Sequence, residues 1–260
     1  MKCFAMLLLS LVALFSAAAQ LNAELLFRAD FENANGVNDP AEWNANNVTL
    51  GKHVYEVEDG WLTQTADGCE NTTKTLFPVD GDDWTDYTVA VDIRWRGDLG
   101  DANDVLSIIF RYTDPNSYYQ FSIGASQYNY EWWLADTHAN EALCFDGPFP
   151  PAEAILAQGV HGVAMDEGGK DAYTAVVKVT GDMMEAFFGE QVDVLAGKMP
   201  PKTGEATDGK HEKGTAGIHM SSVPASFDNI IVFAGSLAVD AQDKLPTAWG
   251  VLKSTYQRYE

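Results

Sequence analysis

Residues 87–95 alternate without a break. Tyr87, Val89, Val91, Ile93 and Trp95 fall on one side, and Thr88, Ala90, Asp92 and Arg94 on the other. A period of two with one apolar side is the pattern of an antiparallel strand buried on one face. Residues 104–124 then read as strand, turn and strand. The first run sets Ile108, Phe110 and Tyr112 against Ile109 and Arg111; the return run sets Tyr119, Phe121 and Ile123 against Tyr118, Gln120 and Ser122. Between them, Pro115 fixes φ and lacks an N–H, while Asp114 and Asn116 bond their own backbone and close the turn. One face of this hairpin is core. The other carries Arg111, Tyr118 and Gln120, a cation, a ring and an amide, which suits a polar ring-shaped ligand such as a sugar.

Carried along the chain, the same reading predicts strands at residues 24–32, 53–57, 61–65, 75–79, 129–136, 173–180, 183–188, 191–195, 217–221 and 226–233, with a weaker one at 141–145. Asp59-Gly60 and Gly181-Asp182 are two-residue hairpin signals. Within 129–136, Tyr130 and Trp132 share one side and Trp133 takes the other, so at most one tryptophan of the pair faces a ligand. Residues 146–171, with Pro148, Pro150, Pro151 and Gly168-Gly169, read as an insertion or long loop in which a short helix starts near 151–158. Residues 200–213 are polar and loop-like. In the tail, 240–260, Thr247 caps a short helix over 248–258. Many short strands and almost no helix predict one all-β sandwich over residues 20–239.

Residues 1–19 stand outside that fold. Lys2 precedes an apolar run over residues 4–15, broken only by Ser10, and Ser16-Ala17-Ala18-Ala19 supplies the small residues of a signal-peptidase site. The chain is therefore expected to be secreted or periplasmic, without membrane insertion, because the apolar run is too short for a stable span and no comparable one follows. The formal net charge of −22 becomes −23 when Lys2 leaves with the leader. Such a surface repels nucleic acid and anionic lipid, and it suits a neutral ligand or a divalent cation. With Cys3 removed, Cys69 and Cys144 remain as an even pair in an oxidising compartment. A bridge between them would close a long loop, a gain of about 4 kcal/mol in the chain-entropy picture.

Taken in order, several short pieces carry a family likeness. They are Asp30-Phe31-Glu32, Asp59-Gly60-Trp61-Leu62, Trp84-Thr85-Asp86-Tyr87-Thr88-Val89 and Phe110-Arg111-Tyr112 with Asn116-Ser117-Tyr118-Tyr119. Gly181-Asp182, Gly217-Ile218-His219 and Phe227-Asp228-Asn229-Ile230 complete the series. Together, over residues 24–233, they resemble a concanavalin A-like jelly roll of the laminin G and 3-keto-disaccharide-hydrolase (DUF1080) type. The resemblance implies a two-sheet jelly-roll sandwich, a fold that hosts lectins, sugar-binding modules, adhesion domains and glycosidases. It also implies a structural Ca2+ where the first and last strands pair, with Asp30, Glu32 and Asp228 as its oxygen ligands.

The candidate ligand-binding set is Arg111, Tyr118, Gln120, Tyr130, Trp132 and Trp133. Catalytic patterns are missing. There is no run of three alternating acids to place an acid and a nucleophile about 5 Å apart, no His-Glu-x-x-His, no Gly-x-Ser-x-Gly and no phosphate-binding loop. The expectation is a non-catalytic module that recognises a glycan or polysaccharide. Two alternatives stand beside it: a glycoside hydrolase related to 3-keto-disaccharide hydrolases, with Glu131 or Asp136 as its acid, and a calcium-ordered adhesion domain.

Overall fold

The computed structural model describes residues 23–31, 43–44, 55–64, 74–78, 81–96, 105–114, 117–124, 130–137, 152–166, 170–221 and 225–235. In chain order these residues form β1 (Leu25–Ala29), β2 (Trp43–Asn44), β3 (Tyr55–Glu58), β4 (Trp61–Gln64), β5 (Lys74–Pro78), β6 (Tyr87–Trp95), β7 (Val105–Asp114) and β8 (Ser117–Gly124). They continue with β9 (Glu131–Thr137), β10 (Ile155–Val160), β11 (Tyr173–Thr180), β12 (Met183–Glu190), β13 (Lys202–Thr207), β14 (Thr215–Ser221) and β15 (Ala225–Ala234). One sheet has eight strands in the order β13-β12-β11-β6-β15-β4-β3, with β1 also on β15; the other has seven, in the order β10-β9-β8-β7-β14-β5-β2. The fold is an all-β, two-sheet jelly-roll sandwich. Among the described residues no helix is long and apolar enough to cross a membrane.

The alternation read in the sequence is what joins the sheets. Val89, Val91, Ile93 and Trp95 of β6 are buried in one core with Leu106, Ile108 and Phe110 of β7 and Tyr119, Phe121 and Ile123 of β8. Trp95 is fully buried and meets Tyr173 and Phe188 edge-on, with ring centroids 5.8 and 6.2 Å apart. Edge-to-face contact of this kind is worth about 0.5–1.5 kcal/mol beyond area burial. The far edge of β15 is shared: Phe227 lies opposite Leu62 of β4, and Ile230 opposite Ala29 of β1. The first and last strands thus pair directly.

Four elements differ from the sequence reading. β2, which pairs with β5, lies where no strand is expected. β10 occupies residues expected to hold a loop and the start of a helix, of which only a 3-10 turn at Ala152–Ala154 forms. β13 runs through residues expected to be loop. Both are edge strands, so neither needs a continuous apolar face, and the period-two cue is missing from ILAQGV and KTGEAT. Residues 191–195, expected as a strand, instead run into a turn over residues 194–197. Their apolar side chains are nonetheless buried. Val194 joins Ala90, Val176 and Ile231 in a second small core on the outer face of the eight-stranded sheet, with Val192 and Leu195 packed against it. The strand expected at 141–145, the tail helix at 248–258, the leader at 1–19, Glu32, Cys69 and Cys144 lie outside the described residues.

The edges of the two sheets meet around Trp132. Its indole lies directly beneath Gly204 of β13, and a Cβ at that glycine would overlap the ring. Gly204→Ala is therefore expected to destabilise the fold by about 1–3 kcal/mol, the usual penalty of overpacking. Urea denaturation followed by tryptophan fluorescence measures it; an unchanged midpoint would show that the indole moves aside freely.

Candidate functional site

Arg111, Tyr118 and Gln120 do not share a face. After Phe110 the chain enters a bulge: the register with β8 shifts between Phe110 and Asp114, and Arg111 takes a φ of 50°, in the left-handed region. The bulge turns Arg111 to the core side, where it is 2% exposed. Its backbone N–H donates to the Tyr87 hydroxyl at 2.7 Å. The guanidinium donates to three carbonyls, those of Gly181 at 2.6 Å, His211 at 2.8 Å and Thr85 at 3.2 Å. Gly214 packs so closely on the bulge that a Cβ there would strike the Arg111–Tyr112 backbone. The sequence carries no warning of this bulge, because no glycine marks it.

The outward-facing members of the predicted set are Tyr118, Gln120 and Trp133. Trp132 belongs to the main core, and Tyr130, at a φ of 58°, packs against that core beside His161. Registers across the seven-stranded sheet line up Gln158, Trp133, Ser122, Ser107 and His219, one each from β10, β9, β8, β7 and β14. Four strand spacings make this row about 19 Å long. Ser107 and Ser122 hydroxyls lie 2.8 Å apart, and the Gln120 amide donates to Ser122 at 3.0 Å. Tyr118 packs beside Tyr112, with ring centroids 5.8 Å apart. Most of the row is buried: Ser122, Gln120, His219 and Ser107 are 0–3% exposed and Trp133 and Tyr118 5% and 7%, whereas Gln158 is exposed at the sheet edge.

The row carries no formal charge. Burial pushes the His219 imidazole down to about 4, so the ring is neutral near pH 7, with one nitrogen donating and the other accepting. Ser107, Ser122, Gln158 and His219 were not read from the sequence as site residues. Parity along β7 and β8 put the two serines outward, but β10 and β14 are joined to those strands only by tertiary pairing.

A second polar group closes one end of the sandwich. Asp136, at the end of β9, accepts from Lys210 at 2.6 Å and lies 2.9 Å from His211 Nε2. The Tyr119 hydroxyl donates to Asp208 at 2.5 Å, and the His211 N–H donates to that hydroxyl at 3.1 Å. Burial raises the Asp136 pKa, but the hydrogen bonds from Lys210 and His211 outweigh it and hold the carboxyl below its ordinary value.

For the expected Ca2+, pairing of β1 with β15 brings Asp30 and Asp228 to neighbouring register positions. However, Asp30 is held by Arg28 at 2.8 Å, and Asp228 accepts from the Asn229 amide at 3.1 Å. Among the described residues no three His, Cys, Asp or Glu side chains are grouped to hold a metal ion. An arginine beside the acids is a poor fit to a calcium cage.

The sequence matches no protein-family model and no curated protein. The fold does have solved neighbours. A carbohydrate binding module, CBM66 from Bacillus subtilis, superposes with a TM-score of 0.51 at 13% identity over 74% of this chain and 96% of that one. A Bacillus subtilis protein of unknown function with a galectin-like fold gives 0.55 at 11% identity over 82% and 98%. The VIP36 exoplasmic/lumenal domain, in its Ca2+/Man-bound form, gives 0.54 at 9% identity over 85% and 92%. The shared feature is the two-sheet jelly-roll fold. That is a coarser grouping than the laminin G and 3-keto-disaccharide-hydrolase resemblance, and none of the three carries the narrower description.

Two outcomes follow from this geometry. Arg111→Leu removes the donor to three carbonyls and is expected to cost roughly 3 kcal/mol, read as a lower denaturation midpoint. An undiminished midpoint would mean that the three loops hold without it. For His219, the folded pKa of about 4 lies below the unfolded value of about 6.5. Between those values the unfolded chain binds the extra proton. Stability is therefore full above the unfolded value, falls as pH drops through the window, and levels off below the folded one; the full effect is on the order of 3 kcal/mol. Asp136 acts in a lower window, because a carboxyl held below its ordinary value loses its contribution only as pH falls through that folded value. His219→Gln should flatten the melting temperature across the upper window alone, and an unaltered slope would refute the assignment.

Proposed function

We propose that this chain is an exported, non-catalytic module that binds a neutral glycan on the outer face of its seven-stranded sheet. The observation that carries this reading is the uncharged row of Gln158, Trp133, Ser122, Ser107 and His219, with Gln120 and Tyr118 beside it. A sugar would reach this row at its exposed end, where the Gln158 amide exchanges hydrogen bonds with hydroxyls and the Trp133 indole beside it offers apolar contact, while the buried serines, Gln120 and His219 behind them keep the sheet free of charge. A protein of net charge −22 that keeps such a row free of charge suits a neutral ligand better than an ionic one. The lectin-like fold supports the same reading, and the apolar leader at residues 1–19 supports export.

The test is a glycan array followed by calorimetry on the mature protein. Binding in the micromolar-to-millimolar range is expected, weakened about tenfold by Trp133→Phe, which also lowers the melting temperature because the ring is buried, and by Gln158→Ala, which leaves the melting temperature unchanged. Failure to bind any glycan, or equal binding by both variants, would remove this reading. Release of reducing ends would replace it with the hydrolase. A melting temperature that rises with Ca2+ and falls with EDTA would support the structural metal.

A further inference from the structure

A cavity of about 380 Å3 opens on the opposite side of the molecule, on the outer face of the eight-stranded sheet. One wall is polar: Asp92, Thr174, Gln191, Asn229 and Arg28. The other is aliphatic, with Val192, Val194 and Ile231. Asp92 is the centre of the polar wall. It sits mid-strand in β6, opposite Thr174 of β11 and Asp228 of β15, and is 5% exposed. Its carboxylate accepts from the Thr174 hydroxyl at 2.6 Å, the Gln191 amide at 2.7 Å and the Asn229 amide at 3.0 Å.

All three donors are neutral, and among the described residues no cation pairs with Asp92. A buried carboxylate is costly unless its hydrogen bonds are complete. An ionised carboxylate has about four acceptor positions, so three donors leave about one for a ligand hydroxyl, as a charge-assisted bond. The neighbouring amide of Gln191 has a second N–H and a carbonyl oxygen, a donor and an acceptor for an adjacent hydroxyl. The donors come from β11, from the bulge of β15 at Asn229 and from the segment after β12, so the carboxylate is fixed before any ligand arrives.

We infer that this cavity is a second ligand site, for a single neutral polyhydroxylated ring such as a monosaccharide or cyclitol. Its volume falls in the usual small-ligand range of roughly 300–1,000 Å3. Anions are disfavoured by Asp92, Asp193 and Asp228 around it. A bare metal ion would have to displace the three donors and would leave most of the volume empty. A wholly apolar ligand would strand the carboxylate. A ring with one hydroxylated edge and one C–H face meets both walls.

The test is saturation-transfer NMR on the mature protein with glucose, galactose, mannose, N-acetylglucosamine and myo-inositol as probes, repeated on three variants. Asp92→Asn keeps the size of the side chain. Gln191→Ala alters an exposed residue and serves if Asp92→Asn fails to fold. Trp133→Phe reports on the other sheet. The expected result is transfer to at least one probe in the wild type and in Trp133→Phe, with at least tenfold weaker binding in Asp92→Asn and Gln191→Ala. Absence of transfer to every probe in the wild type overturns the inference. So does transfer that Trp133→Phe abolishes while the cavity variants keep it, which would assign the probe to the seven-stranded sheet. Polysaccharide binding on the array is read separately, so loss of one site is told apart from loss of the other.

Discussion

A buried guanidinium ties together three loops at one end of the sandwich. Arg111 donates to Thr85 just before β6, to Gly181 in the turn between β11 and β12, and to His211 in the segment joining β13 to β14. That last segment is one of the places where the chain crosses from the eight-stranded sheet to the seven-stranded one. Each carbonyl would otherwise be buried or half-buried without this donor, and the guanidinium would be a charge removed from water. Asp86 adds to the arrangement, accepting the Gly181 N–H at 2.8 Å while lying 3.8 Å from the guanidinium. The sandwich is thus closed at this end by one cation and a set of carbonyls in place of an apolar plug.

That inward turn of Arg111 shapes the face it leaves. With the cation removed to the core side, the outer side of β7 and β8 keeps Ser107, Ile109, Tyr118, Gln120 and Ser122, all uncharged and buried, and on β9 Trp133 shares its side with Glu131 near the sheet edge. The eight-stranded sheet presents a different chemistry outward. Glu185 is bridged by Lys178 at 3.1 Å and Lys202 at 2.8 Å, and Arg94 lies 3.8 Å over the Trp61 ring. Exposed pairs of this kind contribute little to stability, about 0–1 kcal/mol each. Their effect is to keep the outer surface of that sheet solvated, except where the segment after β12 is laid across it and the Asp92 cavity opens beside it. The two outer faces of one sandwich are therefore suited to different contacts.

What the sequence determined by itself is the local part of this structure. Period-two alternation is written into each strand, so the inner faces of β6, β7 and β8, the hairpins at Asp59-Gly60 and Gly181-Asp182 and the all-β class were legible from residues alone. The opposed directions of Trp132 and Trp133 were legible too, as parity, although which of them faced the core was not. Edge strands β10 and β13 were not legible, because a strand with only one neighbour needs no apolar stripe. The apolar pattern of residues 191–195 was real, but it is buried by a segment lying across a sheet, and periodicity cannot distinguish that from a strand. Tertiary structure alone decided the side on which Arg111 points, since a bulge shifts parity without changing composition. It also decided the row from Gln158 to His219 and the company of Asp92, because cross-strand neighbours are set by pairings between residues far apart in the chain, and no local pattern encodes them.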